Sequence, residues 1–170
     1  MKKYFLLLLA ALFLFSSKLD AQNYKTSLGL RIGPYYGVTL KHFTQNVRAL
    51  EFILVTRRGG VGLTGLYEIH TRAFGLDRLQ AYGGIGGHVN VFDRFDSNFW
   101  DWDDDRDRDG IEIGNDQLLN VGLDMVLGLE YTIKELPFNV GIDWKPAINL
   151  IGDYGLSSDQ FAISFRFVFR

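Results

Sequence analysis

The feature that most constrains this chain is an alternation of apolar and polar residues with a period of two. Successive side chains of a β-strand point to opposite faces, so this period predicts strands rather than helices. The last segment alternates most clearly, with Phe161, Ile163, Phe165, Phe167 and Phe169 against Ala162, Ser164, Arg166 and Val168. Seven earlier segments share the period and begin near Leu28, Val38, Leu50, Leu63, Leu79, Val121 and Phe138. The sequence therefore predicts an all-β fold of eight strands.

The first 21 residues have the pattern of a secretory signal peptide. Lys2 and Lys3 precede an uninterrupted apolar run over Phe5–Phe15, and a more polar stretch ends at Ala21. The run is too short to span a bilayer, and a small residue stands where a signal peptidase would cut. We therefore expect residues 1–21 to be a cleaved signal peptide and residues 22–170 to form one domain.

Composition excludes several classes of function. Without Lys2, Lys3, Lys18 and Asp20, the mature chain keeps 15 basic and 19 acidic residues, which gives no reason to expect nucleic-acid binding. The chain has no cysteine, so neither a disulfide framework nor a lipid-modified cysteine anchors it. No cofactor is indicated by any motif, apart from the calcium site considered below.

The connections between the predicted strands differ in length. Six are short, whereas the link from about Asp93 to Leu118 between the fifth and sixth strands is long. With an even number of strands and both termini on the periplasmic side, this long link falls on the exterior. Short inner turns and long outer loops are typical of transmembrane β-barrels. The arrangement predicts an eight-stranded antiparallel up-and-down transmembrane β-barrel.

The period of two does not by itself decide which face points inward, because a soluble lipocalin-like barrel also alternates. Two further features favour the membrane. Aromatic residues lie near several strand ends, where interfacial girdles belong. The polar face carries charges of both signs that could pair inside a narrow barrel: Arg31, Lys41, Glu51, Glu68, Asp124, Glu130, Asp143, Lys145 and Arg166.

Four stretches of the chain have a recognisable pattern, namely 128–152, 36–43, 63–68 and 82–88, and the segment Asp143-Trp-Lys-Pro146 is the most specific part of them. These stretches resemble small outer-membrane β-barrel proteins of Bacteroidota-type bacteria, and residues 22–170 are accordingly expected to be an outer-membrane β-barrel domain. The resemblance covers nearly all of the mature chain. It implies an exported barrel in the cell outer membrane that contacts outer-membrane lipid and uses the barrel assembly machinery during biogenesis. It supplies no catalytic residues.

The long link contains a candidate calcium loop. Asp105, Asp107 and Asp109 alternate and are followed by glycine, as at positions 1, 3 and 5 of a calcium loop. The carbonyl of Ile111 could contribute at position 7, and Asp116 stands at position 12, where a bidentate Glu is usual. Glu112 at position 8 does not fit the pattern. The alternative is a solvated acidic loop on the exterior.

The histidines and serines give no catalytic pattern. His70 and His88 belong to the polar phase, and we expect them to bond neighbouring carboxylates such as Glu68, whereas His42 belongs to the apolar phase. The serines Ser27, Ser97 and Ser164 lack a nucleophile motif. The cluster Gly83-Gly84-Ile85-Gly86-Gly87 lacks the lysine of a phosphate loop, so its glycines are expected to relieve crowding or curve a strand.

The sequence thus predicts a non-enzymatic barrel with a filled, charged lumen and a structural or surface-interaction role. An unidentified surface or envelope protein is the expected partner. Two alternatives stay open at this point. One is a secreted soluble lipocalin-like barrel that binds a small apolar ligand, and the other is a lipid-modifying outer-membrane enzyme.

Overall fold

The computed structural model describes residues 24–57, 60–93, 111–112, 117–152, 155–158 and 160–169. These residues form eleven strand segments, and none of them is helical. The segments are β1 (Thr26–Ile32), β2 (Tyr36–Gln45), β3 (Arg48–Arg57), β4 (Gly60–Arg72), β5 (Leu79–Asp93), β6 (Ile111–Glu112), β7 (Gln117–Thr132), β8 (Phe138–Trp144), β9 (Ala147–Ile151), β10 (Gly155–Ser157) and β11 (Phe161–Phe169).

The segments close into a barrel of eight antiparallel strands. Strands β1 to β5 and β7 pair in chain order, β8 and β9 together form the seventh strand of the barrel, and β10 and β11 form the eighth. The barrel closes where β11 pairs with β1, with Phe169 opposite Thr26 and Ile163 opposite Ile32. The eight antiparallel strands predicted from the alternation are therefore confirmed.

The seventh and eighth strands are interrupted side by side. Pro146 separates β8 from β9 because proline has no N–H to donate to the ladder. Its carbonyl still accepts a hydrogen bond from the Met125 N–H, at 2.9 Å. The adjacent strand is interrupted between β10 and β11. At this interruption the carbonyl of Ser158 accepts a hydrogen bond from the indole N–H of Trp144 in β8, at 2.5 Å. A link predicted for Gly152–Asp159 is therefore partly wrong, since β10 lies inside it and pairs with β9.

The two faces of the barrel wall have opposite chemistry. Outward side chains are apolar on every strand of the wall, as with Leu30, Phe52 and Ile142, each about half exposed. The nine charged residues that the sequence placed on the inner face are all buried inside the barrel. The wall is thus apolar outside and polar inside, the reverse of a soluble barrel with an apolar core.

The barrel has two distinguishable ends. The links 46–47, 73–78 and 133–137 lie at the end where β1 begins and β11 finishes, which we call the terminal end. The opposite end, the loop end, receives the chain between Asp93 and Gln117, which face each other across β5 and β7. Within this long link, β6 pairs with β7. The predicted position of the long link, opposite both termini, is confirmed for the described strands.

Two inward glycines of β5 occupy positions that have no room for a side chain. A Cβ on Gly84 or Gly86 would overlap the backbone of β4, at the carbonyl oxygens of Tyr67 and Gly65 respectively. This agrees with the expectation that the glycine cluster relieves crowding.

The described residues contain no helical segment with the length and hydrophobicity of a membrane span.

Candidate functional site: the charged lumen

The centre of the lumen is a single ammonium group surrounded by carboxylates. The Lys41 Nζ lies 2.8 Å from Glu68 Oε2, 3.2 Å from Glu130 Oε2 and 3.3 Å from Glu51 Oε2. These residues come from β2, β3, β4 and β7, and the side chains are at most 1% exposed. The ammonium also sits 4.0 Å from the centroid of the Tyr82 ring. A buried charge of this kind is tolerable only when nearby groups compensate it, as the three carboxylates and the Tyr82 ring do here.

A second cation completes this group. Arg166 on β11 reaches across the lumen, and its Nη2 donates to Glu51 Oε1 at 2.6 Å, while its Nη1 lies 3.9 Å from Glu130 Oε2. The space for this side chain comes partly from Gly141, where a Cβ would stand 3.0 Å from Arg166 Nη1. We call Lys41, Glu51, Glu68, His70, Glu130 and Arg166 the Lys41 cluster.

His70 lies at the edge of this cluster, beside the terminal end. Its Nε2 is 2.9 Å from Glu68 Oε2, and its Nδ1 is 3.1 Å from Gln80 Oε1 and 3.8 Å from Glu130 Oε1. The ring stacks on Tyr82, with centroids 5.0 Å apart. The expected contact between a lumen histidine and Glu68 is confirmed.

An apolar group seals the lumen at the terminal end. Tyr24, Phe43, Ala49 and Val168 pack together with almost no exposed surface. The Tyr24 hydroxyl donates to Glu130 Oε1 at 3.0 Å, which ties the seal to the Lys41 cluster. Burial, reinforced by the negative charge of Glu130, holds the pKa of Tyr24 well above its ordinary value. The hydroxyl therefore stays protonated and remains a donor.

The loop half of the lumen holds two smaller, separate ion pairs. The guanidinium of Arg31 binds the Asp143 carboxylate through both of its terminal nitrogens, and one of these contacts is 2.7 Å. Asp143 also accepts a hydrogen bond from the Tyr82 hydroxyl at 3.1 Å. The bidentate geometry satisfies both carboxylate oxygens.

The other pair is centred on Asp124. Its Oδ1 lies 2.5 Å from Lys145 Nζ and its Oδ2 lies 2.9 Å from His88 Nδ1. The second ring nitrogen of His88 is 3.3 Å from Asn120 Oδ1, nearer to the loop end. Asn90 and Asn120 face each other across β5 and β7 in this region.

Charged and polar side chains fill most of the described lumen. Ser27 and Ser164 are fully buried, so neither hydroxyl reaches the outer wall or the solvent. Among the described residues, no three His, Asp or Glu side chains are arranged to hold a metal ion. His42 lies on the outward phase as expected, with its Nδ1 2.8 Å from Thr26 Oγ1.

The predicted calcium loop lies almost wholly outside the described residues. Asp105, Asp107, Asp109 and Asp116 are not among them, and neither is Ser97. Of the five proposed ligands only the backbone of Ile111 is described, in β6, where it pairs with Leu119. The calcium site therefore stays a prediction.

The alternation placed Tyr82 on the polar face of β5 with Gln80 and His88, and it is buried there. Two other aromatic members of the lumen, Tyr24 and Phe43, were missed, and both are buried. The position of Phe43 agrees with the alternation, because it shares the phase of Lys41 on β2. Strict alternation therefore assigns the faces of Tyr82 and Phe43 even where residue type argues for the other side.

A comparison with known proteins gave no match to a family model, to a curated protein or to a solved structure.

Proposed function

We propose that this chain is a small outer-membrane β-barrel with a filled lumen, and that its role is structural or one of surface interaction rather than enzymatic. The observation that carries the proposal is the inverted wall. The barrel buries its charges and exposes its large apolar side chains, which is a favourable arrangement only where the surroundings are apolar.

The exposed apolar side chains continue around the whole circumference. Leu28, Leu40, Leu63, Met125 and Ile142 are each at least 40% exposed, and they stand on five different strands. An exposed apolar surface this extensive would drive a soluble monomer to aggregate. Outer-membrane lipid is a partner that covers all sides of a barrel at once.

The lumen supports a filled barrel rather than a pore or a carrier. Two cations and three carboxylates interlock at its centre, and aromatic side chains seal its terminal end. Eight strands leave an interior that side chains can fill. A lipocalin-like carrier would instead need an apolar cavity, and the described lumen is lined mainly by polar and charged side chains.

The position of the long link supports a surface role. In the proposed orientation the termini face the periplasm, so residues 94–116 leave the membrane on the outside, where they could meet a surface or envelope partner. This orientation and the resemblance to small outer-membrane barrels of Bacteroidota-type bacteria form part of the proposal.

The proposal is tested by fractionating cells that express the full chain, followed by gel electrophoresis with and without boiling. We expect the protein in the outer membrane and a band that migrates differently when unboiled, because a closed barrel resists unfolding by detergent. Release by osmotic shock, with a band unchanged by boiling, would overturn the proposal.

A further inference from the structure

The Lys41 cluster contains one carboxylate more than it has permanent cations. Glu51, Glu68 and Glu130 share Lys41 and Arg166 as their only described Lys or Arg partners. The two pairs in the loop half are balanced by contrast, since Asp143 has Arg31 and Asp124 has Lys145. A surplus buried negative charge is expensive, and one bound proton would remove it.

The hydrogen bonds of His70 point to the same proton. Its Nδ1 faces the Gln80 Oε1 at 3.1 Å and its Nε2 faces the Glu68 Oε2 at 2.9 Å, so both ring nitrogens meet oxygen atoms. A neutral imidazole carries one N–H and one acceptor nitrogen. With the Gln80 amide in this orientation, either the ring carries two protons or the Glu68 carboxyl is protonated and donates to Nε2.

The other oxygen of Glu68 gives a third indication. Glu68 Oε1 is buried and accepts no hydrogen bond from a described donor, and the Glu51 carboxylate lies beside the Glu68 carboxyl group. An ionised carboxylate oxygen without a donor costs more than the same oxygen of a neutral carboxyl group. Among the three carboxylates of the cluster, Glu68 is therefore the one best suited to be neutral.

We propose that the Glu68–His70 pair is a proton-binding site that holds one proton at neutral pH. The groups that face it are Lys41 from β2, Glu51 from β3, Tyr82 from β5 and Glu130 from β7. Arg166 from β11 and Tyr24 from the segment before β1 lie one step further away, where both contact Glu130. The proton makes the cluster electrically neutral and satisfies the His70–Glu68 contact.

The bound proton couples the stability of the barrel to pH. In an unfolded chain at pH 7 a glutamate is ionised and a histidine is mostly neutral, so the folded barrel holds about one proton more than the unfolded chain. Stability then falls as the pH rises. The unfolding equilibrium constant should increase by about tenfold per pH unit above about pH 7, until the folded barrel releases the proton.

The test is reversible urea unfolding of the full barrel in lipid vesicles between pH 7 and 9. For the wild type we expect the unfolding constant to rise by at least about tenfold over this range. In Glu68→Gln the carboxylates and cations balance without a proton, so the rise should disappear. His88→Gln is the matched control at the other lumen histidine, and it should keep the wild-type slope.

The proposal would be overturned if the unfolding constants of the wild type and Glu68→Gln rose equally with pH. It would also be overturned if the unfolding constant of the wild type did not rise at all. If the Gln80 amide has the opposite orientation and donates to a neutral His70, the unfolding constant of the wild type should not change with pH. If Glu68→Gln does not fold, infrared spectra and histidine ¹⁵N shifts of the wild type at pH 8 decide the question. A protonated carboxyl or a doubly protonated His70 supports the site, whereas ionised Glu68 beside neutral His70 contradicts it.

Discussion

The two halves of the lumen solve the same problem in different ways. In the terminal half, Lys41 and five further side chains, from five strands in all, form one network that Tyr24 and Phe43 close off. In the loop half, Arg31–Asp143 and Lys145–Asp124 are separate pairs, and each carboxylate has its own cation. A shared network makes each member depend on the others, whereas a separate pair fails alone.

This difference indicates which substitutions in the lumen should lower the stability of the barrel most. Removing a cation of the terminal network takes a partner from several buried carboxylates at once, but removing the cation of a loop-half pair takes a partner from only one. The terminal seal also brings Tyr24, from before β1, together with Val168 of β11. The predictions below compare matched substitutions in the two halves.

The largest effect is expected from the two lumen lysines. Lys41→Met leaves three carboxylates around a neutral side chain, and breaking a buried charge network in this way costs about 3–5 kcal/mol. Lys145→Met should cost clearly less, because Asp124 keeps His88 at 2.9 Å and the Lys145 side chain, at 10% exposed, is less completely buried than Lys41. Urea unfolding of both variants in lipid vesicles measures the difference. Equal losses would show that the terminal cluster is not a shared network.

A smaller effect is expected from two aromatic hydrogen-bond donors. Tyr24→Phe keeps the seal but removes the buried donor to Glu130, which should cost about 1–3 kcal/mol. Trp144→Phe removes the donor to the Ser158 carbonyl at an exposed position, where water can replace it, so a loss of about 0.5–1 kcal/mol is expected. The same unfolding assay ranks the two variants. A costlier Trp144→Phe would place the weak point at the interrupted strands instead.

No effect on barrel stability is expected from the candidate calcium loop. Asp105→Asn, Asp107→Asn and Asp109→Asn combined should abolish any calcium binding by the folded protein, because these oxygens supply the first ligands of the loop. Terbium luminescence or calorimetry with the wild type measures the binding, and the unfolding assay checks the barrel. A wild type that binds no calcium would leave a solvated acidic loop as the correct interpretation.

The alternation predicted the strands and their faces because it is a local property of the sequence. It assigned Arg31, Lys41 and Arg166 to the inner face, and all three are buried there. It could not predict their partners, since contacts such as Lys41–Glu130 join residues 89 positions apart. Which inward residues stand at the same height depends on the stagger between strands, and the stagger follows from how the whole barrel closes.

The interruption at Pro146 and the burial of Tyr24 could not be predicted from the alternation either. Pro146 interrupts a strand without ending it, because the flanking residues still pair with β7 on both sides of it. Tyr24 precedes the first alternating segment, so no period marked it, yet it is nearly fully buried in the terminal seal. The surplus carboxylate of the Lys41 cluster became visible only when the ion pairs could be counted.

In the proposed barrel the outer wall faces lipid, and cysteine labelling can detect this contact. The chain has no cysteine, so no native thiol is labelled in addition to an introduced one. A single cysteine is introduced at Ile142, midway along the outer face of β8. A control cysteine replaces Glu135, which is exposed in the link 133–137. In intact outer membranes, opened so that both sides are accessible, we expect a charged, water-soluble maleimide to label Glu135→Cys quickly. Ile142→Cys should react only after the membrane and the barrel are dissolved. Equally fast labelling of both positions in the intact sample would contradict the account.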